Sequence, residues 1–100
     1  MSRPSRERRK VKLTDHAEER ALQRGIRRFD IVKIINNPKE TVIDEHTGRY
    51  KSYGEGIDAY ARERVYVIII HTPFNTNVKI ITVMSVNNEG GLKAHGFSNF

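Results

Sequence analysis

The sequence predicts an α+β domain in which two N-terminal helices pack on a four-stranded antiparallel sheet. Three observations support this fold class. Apolar residues recur at helical spacing between positions 15 and 36, whereas β-branched and aromatic residues dominate between positions 41 and 86. A length of 100 residues with 37% hydrophobic content suits one domain with a modest core. The chain contains no cysteine, so packing alone must hold the fold.

The first predicted helix spans 15–24 and the second spans 28–36. Asp15 is the expected N-cap of the first helix, because Glu18 follows three residues later as in a capping box. Gly25 supplies a left-handed stop at its C-terminus. The second helix ends before a proline, which restricts the backbone of the preceding residue. We expect close packing on the buried face of the first helix, which consists of Ala17, Ala21 and Leu22.

Four strands are predicted after the helices, and turn residues separate them. We expect Gly54 and Gly56 to break the second strand, since glycine weakens a strand interior. The last two strands are apolar on both faces and should be central. The helices would cover one face of the sheet, and a partner protein is one candidate for covering the other face. The predicted ranges are 41–45, 49–53, 64–72 and 78–86.

The net charge of +6 is concentrated in front of the first helix. Residues 1–12 contain six basic side chains and one acidic side chain, which gives +5 of that total. Two interpretations stay open: a disordered solubilising tail, or a segment that binds nucleic-acid phosphates by releasing their counterions. We expect a single domain over 13–87 and a loosely held tail over 88–100. The candidate RNA-binding residues of the basic tail are Arg8, Arg9, Lys10 and Lys12.

The sequence lacks the motifs of several function classes. No apolar run follows the basic N-terminus, and no segment approaches the roughly 20 apolar residues of a membrane span. We therefore expect a cytoplasmic protein without a membrane partner. The four histidines lack metal-ligand spacing, the glycines form no phosphate-binding loop, and no serine stands in a nucleophile elbow. We expect neither a metal nor a cofactor.

One face of the first helix carries side chains that suit RNA chemistry. His16, Arg20 and Arg24 are spaced four residues apart, so they stack along one side of the helix. Metal-free RNA cleavage needs a proton-transfer group and fixed cations that stabilise the phosphorane. Imidazole supplies the first, and guanidinium supplies the second with a geometry that matches phosphate. The alternative interpretation is the ordinary solvated face of an amphipathic helix.

Several segments together give a resemblance to known families. Leu13-Thr14-Asp15-His16-Ala17, followed by Arg20 and Arg24-Gly25-Ile26, resembles the opening of a small prokaryotic domain-of-unknown-function family. The likeness covers roughly 13–84. That family in turn resembles the metal-independent nuclease fold of barnase, EndoU, colicin-type and RelE-type ribonucleases. The later segments that carry the likeness are Ile34-Ile35-Asn36-Asn37-Pro38, Gly48-Arg49-Tyr50 and Ile80-Ile81-Thr82-Val83.

The resemblance implies a toxin-like, metal-independent endoribonuclease with RNA as its substrate. It implies that Lys51 and Thr82 from the sheet act as catalytic residues together with His16, Arg20 and Arg24 of the first helix. Tyr53 shares the face of Lys51 and would stack an RNA base. An antitoxin protein and a homodimer are left open as partners.

Ordinary structural roles stay open for the three sheet residues. Lys51 can be an exposed strand lysine, Thr82 a satisfied core hydroxyl and Tyr53 a cross-strand packing residue. The general acid is unassigned among water, Tyr53 and a second histidine such as His71. The alternative function is a non-enzymatic nucleic-acid-binding or regulatory module that uses the basic tail.

Overall fold

The computed structural model describes residues 9–100. Over that range it confirms a mixed α+β fold, but with five strands and three helices. In chain order the elements are β1 (Lys10–Leu13), α1 (Asp15–Arg24), α2 (Arg28–Asn36), β2 (Glu40–Asp44), β3 (Arg49–Asp58), β4 (Glu63–His71), β5 (Asn77–Val86) and α3 (Glu89–Ala94). The strands form one sheet in the order β1-β5-β4-β3-β2. β1 runs parallel to β5, and the other neighbouring strands are antiparallel.

Helix α1 begins and ends at the predicted residues, but its N-cap differs from the prediction. Thr14 rather than Asp15 is the N-cap, because its hydroxyl oxygen accepts the backbone N–H of Ala17 at 3.0 Å. The same hydroxyl donates to the carbonyl oxygen of Ile81 at 3.1 Å. Gly25 ends the helix at a φ of 68°, as predicted. Thr14 therefore both caps α1 and fixes its start against β5.

Strand β3 continues through the two glycines that were expected to break it. A Cβ added to Gly54 would lie 2.7 Å from Cγ1 of Ile34 in α2. A Cβ added to Gly56 would lie 3.2 Å from Oδ2 of Asp30, also in α2. The glycines therefore allow α2 to pack closely on β3, and they do not interrupt the strand.

The segment just before α1 is a strand, so the prediction of a disordered tail through residue 12 is wrong for β1. β1 pairs with the first half of β5, from Lys10 opposite Asn77 to Leu13 opposite Ile80. Val11 and Leu13 are buried in the core, whereas Lys10 and Lys12 are exposed, which is the alternation of a half-buried strand. The first eight residues lie outside the described range.

Helices α1 and α2 pack on one face of the sheet, which we call the helix face. Leu22 is 71% exposed, contrary to the prediction that it is buried. It lies about 140° around the helix from Ala17, and Ala17 and Ala21 already contact the sheet. The aliphatic core of the helix face consists of Val11, Leu13, Ala17, Ala21, Ile26, Ile31, Ile34, Ile35, Val65, Val67, Ile69, Val78, Ile80 and Val83.

The opposite face of the sheet, which we call the open face, is only partly covered. Its cover is residues 89–100, which we call the C-terminal cover. Leu92 and Phe97 are 0% and 2% exposed and form a second core with Tyr53 and Ile68. The phenol of Tyr53 donates to the carbonyl oxygen of Asn99 at 2.9 Å. This segment is therefore docked and not a loose tail, and it supplies the cover that the sequence left open to a partner.

Truncation of Phe97 tests whether the C-terminal cover belongs to the fold. Phe97→Ala should lower the free energy of unfolding by about 3–5 kcal/mol, because a buried aromatic ring is lost and a cavity remains. Phe100→Ala is the matched control, since its ring is 45% exposed, and it should change stability by less than about 1 kcal/mol. Chemical denaturation measures both values. Equal effects of the two substitutions would contradict a docked cover.

Candidate functional site

Strand register places two predicted site residues in one row across the open face. Lys51 of β3 lies opposite Ile70 of β4, and Ile70 lies opposite Thr82 of β5. Side chains opposite each other on neighbouring strands point to the same face, and alternate residues of each strand share that face. Two strand spacings of about 4.8 Å separate the backbones of Lys51 and Thr82 by roughly 10 Å. All three residues are half-buried, so the row marks the limit of the C-terminal cover.

Beyond this row the open face is exposed and basic. Lys12 and Lys79 lie directly opposite each other on β1 and β5, and both are exposed. Like charges opposite each other destabilise a sheet, so this pair calls for an explanation beyond the fold. A shallow groove runs over this part of the sheet. We call this surface, together with the half-buried Lys51 of the row, the basic end of the open face; its five cations are Lys10, Lys12, Arg49, Lys51 and Lys79.

None of these five cations forms an ion pair with any of residues 9–100. Asp44 lies opposite Arg49 in the register of β2 and β3 without an ion pair between the two side chains. Its carboxylate accepts the backbone N–H of His46 at 2.9 Å in the turn, and this hydrogen bond lowers the pKa of Asp44. The basic end therefore has unneutralised charge within the described chain. The ion pairs in that range are Lys33–Asp30 and Lys39–Glu55.

Helix α1 holds the other three predicted catalytic residues on the opposite side of the sheet. His16 and Arg24 are exposed, and Arg20 is half-buried. Because α1 packs on the helix face, the sheet lies between these three helix residues and the pair formed by Lys51 and Thr82. The five predicted catalytic residues therefore form two groups and not one continuous cluster.

The two groups approach each other at the outer edge of β5. β1 pairs with this edge only as far as Ile80, and no strand within residues 9–100 pairs with it beyond that point. The backbone N–H and the hydroxyl of Thr14 donate to the carbonyl oxygens of Ile80 and Ile81 at 3.0 Å and 3.1 Å. His16 follows Thr14 by two residues, and Thr82 follows Ile81 by one. The start of α1 therefore lies beside Thr82.

Two buried side-chain polar atoms within residues 9–100 lack a hydrogen-bond partner, and both belong to predicted catalytic residues. They are Nε of Arg20 and Oγ1 of Thr82. An unpaired buried polar group costs about 1–3 kcal/mol, so such groups are rare and each calls for an explanation, such as strain, an ordered water or a catalytic role. Arg20 and Thr82 lie on α1 and β5, which pack against each other. Both atoms offer hydrogen bonds that the protein itself does not use.

His95 also lies at the row of Lys51, Ile70 and Thr82, although the sequence analysis assigns it no role. The ammonium of Lys51 donates to the backbone carbonyl oxygen of His95 at 3.0 Å. His95 is half-buried at the end of α3, and burial followed by the charge of Lys51 lowers the pKa of its imidazole. Lys51 and His95 are 44 residues apart in sequence, and no motif links them. Only the docking of the C-terminal cover brings them together.

Comparison with protein families identifies the domain. A family model described as a domain of unknown function, DUF4258, matches residues 13–88. The chain belongs to the DUF4258 family. No curated protein and no solved structure matches the chain. The resemblance to a domain-of-unknown-function family is thus confirmed, and the DUF4258 segment includes the helix row and the strands with Lys51 and Thr82.

His71, considered in the sequence as a second acid–base group, lies elsewhere in the DUF4258 domain. It is fully buried on the helix face, opposite Ile80. Its Nδ1 donates to the carbonyl oxygen of Thr72 at 2.6 Å, since a carbonyl oxygen can only accept. Its Nε2 then accepts the hydroxyl of Ser52 at 2.7 Å, and Ser52 in turn accepts the hydroxyl of Thr41 at 2.7 Å. Both nitrogens of a neutral imidazole are occupied, and burial lowers the pKa of His71.

The predicted RNA-binding residues have different positions in the domain. Tyr53 is 1% exposed and hydrogen-bonded to the C-terminal cover, so it is not available to stack a base. Arg9 donates from its guanidinium to the carbonyl oxygen of Ile35 at 3.0 Å and lies 4.4 Å from the ring centre of Phe74, so it anchors the chain to α2 and to the β4–β5 turn. Lys10 and Lys12 are exposed on the basic end. Arg8 lies outside the described residues.

Between residues 9 and 100, no three His, Asp or Glu side chains are grouped so that they can hold a metal ion. In the same range, every helix is too short or too polar to cross a bilayer.

His71→Gln should reduce the pH dependence of stability. Burial holds the folded-state pKa of His71 below its ordinary value of 6.5. The unfolded chain therefore binds more protons than the folded chain as the pH falls below 6.5, and the free energy of unfolding decreases. Urea denaturation at several pH values from about 8 to about 5 should give a shallower slope for His71→Gln than for the wild type. The matched control, His46→Gln in the exposed turn, should keep the wild-type slope. A wild-type slope in His71→Gln would show that His71 does not cause this pH dependence.

Proposed function

We propose that this DUF4258 domain is a metal-independent endoribonuclease that binds RNA across the basic end of the open face. The observation that carries the proposal is the row of Lys51 and Thr82, which borders a set of unneutralised cations and ends beside the start of α1. The cations favour a polyanionic ligand. The unpaired polar atoms of Arg20 and Thr82 favour chemistry at the same edge.

The basic end suits the backbone of a single-stranded RNA segment. Its cations lie on β1, β5 and β3, so they span three strand spacings, or roughly 14 Å. Each Lys or Arg that neutralises a phosphate releases a condensed counterion, which gives affinity without base recognition. Proteins that act on particular RNA sites mostly bind unpaired nucleotides, whose backbones can follow such a surface. Phosphate contacts would also relieve the repulsion between Lys12 and Lys79.

The proposed reaction is the attack of a 2′-oxygen on the adjacent phosphorus. His16 acts as the base for the 2′-hydroxyl or as the acid for the leaving 5′-oxygen. Arg20 and Arg24 stabilise the negative charge added in the phosphorane, and Lys51 and Thr82 hold the phosphate. The products are a 2′,3′-cyclic phosphate and a 5′-hydroxyl. The resemblance to ribonuclease toxins supports this assignment and extends the proposal to a toxin-like role with an antitoxin partner.

A nucleic-acid-binding module without chemistry is the second candidate. The observation that favours it is the position of the sheet, which separates the exposed His16 and Arg24 from Lys51. In this case the basic end binds RNA, and the polar face of α1 is an ordinary solvated surface. Cleavage and binding assays distinguish the two candidates.

Purified protein should cleave single-stranded RNA in the presence of EDTA and leave 2′,3′-cyclic phosphate ends. His16→Ala should lower the rate about 10²–10⁴-fold, which is the usual contribution of one acid–base group. His46→Ala is the matched control and should cleave at the wild-type rate, because His46 lies in an exposed turn. Gel analysis gives the rates, and mass spectrometry identifies the ends. Intact RNA with wild-type protein, or equal cleavage by His16→Ala, would contradict the proposal.

The double substitution Lys12→Gln with Lys79→Gln should weaken RNA binding and its dependence on salt. Loss of two phosphate contacts should lower the slope of log K against log salt by about 1.4 for single-stranded RNA. Lys33→Gln with Arg27→Gln removes the same charge from exposed positions on the helix layer and should leave the slope unchanged. Fluorescence anisotropy with 2′-O-methyl RNA, which cannot be cleaved by this route, measures both slopes. Equal effects of the two pairs would show that net charge, and not the basic end, binds RNA.

A further inference from the structure

We infer that His95 is the general base of the proposed ribonuclease, an inference that rests on the proposed function. Its imidazole takes the proton of the 2′-hydroxyl while Lys51, which is hydrogen-bonded to the same residue, holds the phosphate. His95 lies outside the segment that matches the DUF4258 family, residues 13–88. This catalytic group therefore belongs to the C-terminal cover of this chain.

The C-terminal cover holds His95 in a fixed position. Leu92 and Phe97, on either side of it in sequence, are almost fully buried against the sheet. After Phe97, the carboxylate of Glu40 accepts two backbone N–H groups at 2.9 Å and 2.7 Å. The side-chain amide of Asn99 donates to the carbonyl oxygen of Lys39, the residue before β2, at 2.9 Å. A residue anchored on both sides is pre-organised for proton transfer, since little ordering remains when substrate binds.

The imidazole of His95 is free to accept a proton. Neither of its ring nitrogens hydrogen-bonds to any of residues 9–100, whereas both ring nitrogens of His71 are occupied. Lys51 of β3 is the charged group that acts on His95; Lys93 of α3 is exposed, and Glu40 of β2 is bonded to the backbone of the cover. Burial and the Lys51 charge lower the pKa of His95, so the neutral form that a base requires predominates at neutral pH.

The proposed step balances in protons and bonds. His95 accepts the proton from the 2′-hydroxyl as the 2′-oxygen bonds to phosphorus. The bond from phosphorus to the 5′-oxygen breaks, and that oxygen takes a proton from the imidazolium of His16. The inference therefore assigns the acid role to His16, which the proposed function leaves open. Lys51 stays protonated throughout and stabilises the phosphorane.

His95→Gln tests the inference directly. It should lower kcat at least about 10²-fold and leave the Kd for 2′-O-methyl RNA unchanged, because Lys51 bonds to the backbone carbonyl and not to the ring. His46→Gln is the matched control. Cleavage by His95→Gln within about threefold of the wild type would overturn the inference but not the proposed function. Wild-type protein that cleaves no RNA would overturn the proposed function itself.

A modified substrate separates the base from the acid. RNA with sulfur in place of the 5′-bridging oxygen releases a thiolate, which leaves without a proton. This substrate should restore the rate of His16→Ala and leave the rate of His95→Gln low. Restoration of both variants, or of His95→Gln alone, would overturn the assignment of His95 as the base.

Lys51→Met provides a second test if His95→Gln does not fold. Removal of the neighbouring ammonium should move the acidic limb of the pH profile of kcat/KM to higher pH, because the imidazolium of His95 is no longer repelled. An acidic limb at the wild-type position would overturn the inference. The overall rate of this variant should also fall, since Lys51 contacts the phosphate in the proposed site.

Discussion

Strand alternation between β1 and β5 determines the charge of the open face. Val11, Leu13, Val78 and Ile80 must face the helices to complete the aliphatic core, so the residues between them face the other way. The parallel register then sets Lys12 against Lys79. The C-terminal cover stops at the row of Lys51 and Thr82, so nothing in residues 9–100 buries or neutralises these cations. Burial on one face of the sheet thus produces a basic surface on the other.

The outer edge of β5 connects this surface to α1. Because β1 ends at Leu13, the chain leaves the sheet at Thr14 and continues as a helix that packs on β5. The edge beyond Ile80 is then bordered by a helix with two guanidiniums and an imidazole, while Thr82 lies on the open face. In the proposed function, a phosphate at this edge is contacted from both layers. The lysines of β1 and the C-terminal cover lie outside the segment that matches the DUF4258 family, residues 13–88.

Local signals in the sequence were sufficient for the first two helices and for most strands, but not for α3 or for features that depend on distant contacts. The residues of α1 and α2 were predicted correctly because capping residues and apolar spacing are local. Lys10-Val11-Lys12-Leu13 has the alternation of a strand, yet its charge suggested a disordered tail, and its partner is β5 in the second half of the chain. Gly91 lies in the segment expected to be a loosely held tail, whereas its lack of a side chain lets α3 pack against Val86, whose Cβ would lie only 2.6 Å from a Cβ added to Gly91. His95 could not be predicted, because only the docking of the C-terminal cover places it beside Lys51.

The position of bound RNA on the folded domain is the most direct test of this account. Amide chemical-shift mapping with 2′-O-methyl RNA should give the largest changes in β1, at Lys79 to Thr82, and around Lys51 and His95. The outer surface of α2, with the exposed Phe29 and Lys33, should show none. Changes confined to α2, with the basic end unaffected, would contradict the central claim that the open face of the sheet binds the nucleic acid.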